Sequence, residues 1–232
     1  MIKKVLFCLL LPLIGIAQPT LDQADKLLQQ KHYKQAENLL KPFVAQNNSS
    51  KRAVELLGDT YGHQANWDAA ITQYKQLVAL DQNEANYYYK YGGAMGMKAL
   101  EVNKFSALLL IDDIEKSFLK AAELDSKHIN TRWALVELYM KLPAIVGGSI
   151  KKSLKYADEL EGISKVDGYL AKGTIYEYDK KPDLAEKYYK MAVNIGGSVT
   201  CYEKLASFYE NQNQPEKALL VMEASKKSIN KI

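Results

Sequence analysis

Apolar residues along this chain recur at helical spacing, and small ones recur at fixed intervals along it. In the stretch 51–83, Leu57-Gly58-x-x-Tyr61 is followed by Ala70-x-x-x-Tyr74, a small residue paired with a bulky one on each of two successive helices. Aligning the small residue of each first helix gives Ala24, Gly58, Gly92, Val136, Gly173 and Ala206, separated by 34, 34, 44, 37 and 33 residues. The second helices supply Ala36, Ala70, Ala185 and Ala218, with Leu40, Tyr74, Tyr189 and Met222 four residues on. Where two helices cross closely, one must lack a side chain to admit the knob of the other. The pattern therefore predicts six antiparallel helical hairpins.

The Leu57-Gly58-x-x-Tyr61…Ala70-x-x-x-Tyr74 spacing resembles the tetratricopeptide repeat family. That resemblance implies an all-α, right-handed α-solenoid of about six hairpins, with the third unit enlarged, and a surface that holds another molecule. Each hairpin would contact only its neighbours, and polar capping units would close the two ends.

Two places depart from the repeat. The first helix of the third unit reads YYYKYGGAMGM, and each interior glycine costs about 1 kcal/mol relative to alanine. Gly93 and Gly96 thus invite another segment to approach the backbone. The extra residues 98–111 are expected either to fold over the groove, packing Phe105, Leu108, Leu109 and Leu110 near those glycines, or to lengthen the two helices. In the fourth unit, Pro143 ends a helix, Gly147-Gly148 turn the chain with positive φ, and Ser149 caps the next helix. Between them Ala144-Ile145-Val146 is expected to tuck under the neighbouring repeat, the alternative being an exposed contact patch.

The first residues change the picture. Lys3, Lys4, an apolar run to Ile16, and Gly15 and Ala17 have the form of a secretory signal peptide over 1–17, cleaved after Ala17. Residues 18–232 would then be a periplasmic or secreted solenoid domain. The run is too short for a transmembrane segment of about 20 residues. Without Lys3 and Lys4, the 31 basic residues become 29 against 27 acidic ones, with no basic block, which argues against nucleic acid. Only Cys201 would remain, so no intramolecular disulfide can form.

Catalytic chemistry needs convergent groups, and none stands out. His32, His63 and His128 fall in different units, Asp59 and His63 lack a third metal ligand, and the glycine-rich stretches lack a phosphate loop's Lys-Ser or Lys-Thr. No enzyme activity, cofactor or metal is expected. The remaining candidate is the inward stripe of the first helices: Glu55, Asp59 and Gly62; Tyr89, Gly93 and Gly96; Trp133, Glu137 and Met140; Leu170, Thr174 and Glu177; Glu203, Ser207 and Glu210. It is acidic with aromatic anchors, which suits a protein or peptide carrying basic and apolar residues. The predicted partner-binding residues are Tyr89, Trp133, Glu137, Met140, Thr174, Glu177 and Tyr178, the aromatic members lying off the structural pattern. Repeats that clamp a chaperone's C-terminal carboxylate present Lys, Arg and Asn at these faces, and this sequence departs from them. A second expectation is a small-ligand or lipid site in a cavity between residues 98–111 and the Gly92–Gly96 helix. The terminal helix also allows weak self-association.

Overall fold

The structure, a computed structural model, describes residues 14–229, so the proposed signal segment lies mostly outside the described residues. Twelve α-helices are present among them, in six successive hairpins. They are α1 (Ile14–Gln29) with α2 (Tyr33–Gln46), α3 (Lys51–His63) with α4 (Trp67–Leu80), α5 (Ala85–Glu101) with α6 (Lys104–Leu124), α7 (Ile129–Lys141) with α8 (Ile150–Ile163), α9 (Lys165–Tyr178) with α10 (Pro182–Gly196), and α11 (Val199–Asn211) with α12 (Pro215–Ile229).

The chain forms two compact units, Met1–Ile114 and Glu115–Ile232. In the first, Ala24, Ala36, Leu40, Val54, Leu57, Ala70, Tyr74 and Leu77 build the core. In the second, Tyr169, Ala185, Tyr189, Ala192, Leu205, Ala206 and Phe208 do so. The small residues act as the spacing predicted. A Cβ placed on Gly58 would lie 2.6 Å from Tyr74 Cε1, and one on Gly173 would lie 2.6 Å from Tyr189 Cδ1. The bulky residue of each second helix thus occupies the space that its partner glycine leaves open.

Four of the hairpins share one turn. Lys31, Ala65, Lys180 and Asn213 have φ of 61°, 55°, 58° and 56°. The following amides donate back into the first helix, His32 to Leu27 at 2.8 Å and Asn66 to Tyr61, Lys181 to Tyr176 and Gln214 to Tyr209 at 2.9 Å. This left-handed closure satisfies carbonyls that the helix end would leave bare.

At the two irregular places the structure takes the second of the two expected alternatives. Residues 98–111 form the end of α5 and the start of α6, which run for 17 and 21 residues. They do not fold back: Phe105 and Leu109 are 83% and 82% exposed, and a Cβ on Gly93 or Gly96 would meet nothing within 4 Å. In the fourth hairpin Ala144–Val146 is a 3-10 turn with Ile145 93% exposed, so the apolar triplet does not tuck under a neighbour. Gly147 has a φ of 97°, whereas Gly148 serves close approach instead: its Cβ would fall 1.7 Å from the Leu142 carbonyl oxygen. Ser149 caps α8 as expected, its side chain accepting from the Lys152 amide.

Candidate functional site

Within the second unit the first helices α7, α9 and α11 lie side by side, and side chains of the predicted stripe tie them together. Trp133 on α7 is half-buried, and its Nε1 donates to Asp167 Oδ1 on α9 at 2.9 Å. Asp167 is itself held by Ser164, whose hydroxyl donates to it at 2.5 Å. On α9 the Thr174 hydroxyl donates to the Leu170 carbonyl at 3.0 Å, and Glu177 accepts from Tyr189 Oη at 2.8 Å and from Asn211 Nδ2 on α11 at 2.9 Å. Burial, with Glu177 added, pushes the Tyr189 phenol well above its ordinary value.

The stripe therefore divides into two kinds of residue. Trp133 and Glu177 bridge neighbouring helices, Thr174 accepts from Tyr189 Oη on α10 at 3.3 Å, and all three present only part of their surface. Met140, predicted to contact a partner, is 5% exposed and packs in the core, because the face that α7 buries includes Leu135, Val136 and Tyr139 as well. Glu137 is exposed and ion-paired with Lys141 at 3.0 Å, one turn on. Tyr178, at the end of α9, is 51% exposed, and Glu203, Ser207 and Glu210 are exposed on α11. Tyr89 belongs to the first unit, half-buried on α5.

In the first unit the acidic stripe is neutralised from within. Lys90 Nζ lies 2.7 Å from both Glu55 Oε1 and Asp59 Oδ1, and Tyr74 Oη donates to Asp59 at 2.7 Å. Burial alone would lower the Lys90 ammonium pKa, but Asp59 and then Glu55 outweigh it and the net shift is upward. Lys172 stands in the same relation to Asp158 and Glu161 in the second unit, at 2.7 and 2.5 Å. Neither lysine was visible to pattern reasoning, because each bonds to residues on a preceding helix. Arg132 was missed too: it is 4% exposed, and its guanidinium donates to the Asp125 and Ala122 carbonyls at 2.6 and 3.1 Å, closing the end of α6.

Among the described residues no group of three His, Cys, Asp or Glu side chains could hold a metal. Asp59 is occupied by Lys90 and Tyr74, and the His63 ring stacks on Tyr33 at 4.8 Å. Cys201 is buried, with the Ser198 hydroxyl at 3.2 Å from its sulfur. No described helix is long and apolar enough to cross a membrane. The expected ligand cavity beside the Gly92–Gly96 helix has no lid, since the segment meant to enclose it stands in solvent.

Residues 27–91 match the family described as Tetratricopeptide repeat. No curated protein matches the chain. Among solved structures, a thermophilic tetratricopeptide protein of Thermus thermophilus is 15% identical with a TM-score of 0.66, over 83% of this chain and 98% of that one. A tetratricopeptide repeat protein of Parabacteroides merdae is 11% identical with a TM-score of 0.64, over 91% and 79%. YrrB, described as a tetratricopeptide protein with an unusual peptide-binding site, is 14% identical with a TM-score of 0.55, over 80% and 89%. At these identities the likeness is one of fold: an all-α, tetratricopeptide-like solenoid.

Proposed function

We propose that this chain is an exported, non-catalytic scaffold that binds a protein or peptide carrying basic and apolar residues. The observation that carries the reading is the set of acidic side chains left in solvent on the first helices of the second unit, Glu137 on α7 and Glu203 and Glu210 on α11, with half-exposed Tyr178 at the end of α9, which packs against both helices. Exposed carboxylates and an exposed aromatic side chain on neighbouring helices favour a cationic partner with an apolar anchor. The peptide-binding site ascribed to YrrB agrees with that use of the fold. Trp133, Thr174 and Glu177 serve the same face by fixing its helices.

The test is a peptide-display selection on the purified protein. Enriched peptides should carry Lys or Arg next to apolar residues, and Glu137→Lys with Glu210→Lys should abolish that enrichment while helicity is kept. Selection of acidic peptides, or no change in the double variant, would remove the reading. Export rests on the form of residues 1–17, and mass spectrometry of protein recovered from the producing cell should find a chain that starts at Gln18.

A further inference from the structure

The turn between α7 and α8 is unlike the others. The four regular turns, at 31–32, 64–66, 180–181 and 213–214, each carry Lys, His, Asn or Gln. Residues 142–148 carry no polar side chain at all, and Pro143, Ala144 and Ile145 are exposed, Ile145 at 93%. The backbone of this turn is nonetheless closed on itself. The Val146 and Gly148 amides donate to the Pro143 carbonyl at 3.0 and 3.1 Å, Gly147 to Ala144 at 3.1 Å, and Ser149 to Tyr139 at 2.7 Å. With those amides bonded internally, the apolar tip loses little on leaving water.

Cations flank the tip along the chain. Lys141 ends α7, and Lys151, Lys152 and Lys155 occupy the first two turns of α8, all of them exposed. The acidic residues of α8 begin only at Asp158, about 12 Å along the helix from Ile150. Lys141 pairs with Glu137 at 3.0 Å, while Lys152 and Lys155 stand 3.8 Å from Glu115 and Glu159. This order works against the stability of α8 itself. Its lysines meet the positive end of the helix dipole, and Lys151 and Lys155 repel each other one turn apart. Lysines placed there serve something outside the helix.

We propose that the α7–α8 turn seats this protein on an anionic lipid surface, with Ile145 entering the boundary between headgroups and acyl chains and the flanking lysines lying against lipid phosphates. A bilayer suits the tip better than an acidic protein. It receives a projecting apolar side chain anywhere on its surface, whereas a protein must offer a pocket shaped to it. The flanking cations are also all lysine, which supplies charge without the fixed fork that arginine brings to a carboxylate. Each lysine near such a surface strengthens attachment about fivefold, so the association is weak, reversible and sensitive to salt. It is independent of the peptide-binding reading, which rests on other residues.

Co-sedimentation of the full chain with vesicles tests this, phosphatidylglycerol mixed with phosphatidylcholine being compared with phosphatidylcholine alone. The expected result is attachment to the anionic vesicles that Lys151→Gln with Lys155→Gln weakens more than about tenfold and Ile145→Asp about tenfold, both at unchanged helicity. No attachment to the anionic vesicles overturns the proposal. So does equal attachment to neutral vesicles, or attachment that the variants leave unchanged, which would place the contact elsewhere in the chain, residues 1–17 included. Attachment that needs the lysines but ignores Ile145→Asp is charge alone and overturns it as well. Binding of poly-glutamate through the same lysines, with vesicles ignored, would assign the face to an acidic protein and overturn it equally.

Discussion

At the residue scale, the same amino acid does opposite work at different positions. Gly58 and Gly173 face tyrosine rings that cannot swing aside freely, because Tyr74 donates to Asp59 at 2.7 Å and Tyr189 to Glu177 at 2.8 Å. Gly58→Ala and Gly173→Ala should each destabilise by about 1–3 kcal/mol through overpacking, seen as a lower urea midpoint at unchanged slope. Gly93 and Gly96 face open space, and alanine at either should gain about 0.5–1 kcal/mol. The first pair was legible in the sequence because its spacing repeats. The second pair misled, since a glycine needed for close approach and one merely tolerated look alike until their surroundings are known.

Also at this scale, Lys90 and Tyr74 meet at Asp59 and share a pH signature. The Tyr74 phenol is raised by burial first and then by Asp59, and the Lys90 ammonium is raised because Asp59 and Glu55 outweigh its burial. Both folded pKa values thus exceed the unfolded ones. Their stabilising contribution is complete below the ordinary tyrosine and lysine values of about 10, and is lost as pH rises through the folded values. Urea midpoints should fall above about pH 10, and Tyr74→Phe should make that fall shallower. An unchanged alkaline slope in Tyr74→Phe would separate the phenol from the effect.

At the element scale, hairpin number and pairing were legible while the turns were not. Regular turns usually announce themselves by glycine at the left-handed position, but here that position holds Lys31, Ala65, Lys180 and Asn213. Ala65→Gly should remove the left-handed penalty of about 1–2 kcal/mol, less about 0.4–1 kcal/mol of added freedom in the unfolded chain. The expected net gain is about 0.5–1 kcal/mol, measurable as a raised melting temperature. An equal or lower value would mean that the turn carries no such strain. In the segment 98–111 the fold-over alternative failed for a related reason, and the two helices are lengthened instead. Its apolar run seemed to demand cover, yet no residue of 98–111 is buried: Phe105 and Leu109 stand in solvent and the core side of α6 begins at Ile114. Periodicity finds stripes, and packing alone decides which of two faces the interior. Ile145 repeats the lesson, since the Gly147-Gly148 turn holds it in solvent.

At the scale of the whole molecule, counting carboxylates overstates the charge offered to a partner. Glu55 and Asp59 share Lys90, and Glu177 is taken up by Tyr189 and Asn211, whereas Glu203 and Glu210 stand exposed and Glu137 meets only a solvated lysine. An exposed ion pair such as Glu137–Lys141 contributes little and leaves its carboxylate available. Acidity read from sequence left out the compensation of Glu55 and Asp59, because Lys90 comes from the next hairpin. A cationic apolar peptide selected on this protein should lose affinity as salt shortens the screening length from about 10 Å at 0.1 M to about 3 Å at 1 M. Glu137→Lys with Glu210→Lys should flatten that salt dependence and weaken binding about tenfold at low salt, as measured by titration calorimetry. Glu55→Gln should leave the peptide's affinity and salt slope unchanged while lowering the urea midpoint, since Glu55 is occupied by Lys90 and Asn86 inside the fold. A salt slope that responds to Glu55→Gln and ignores Glu137→Lys would move the binding face to the first unit.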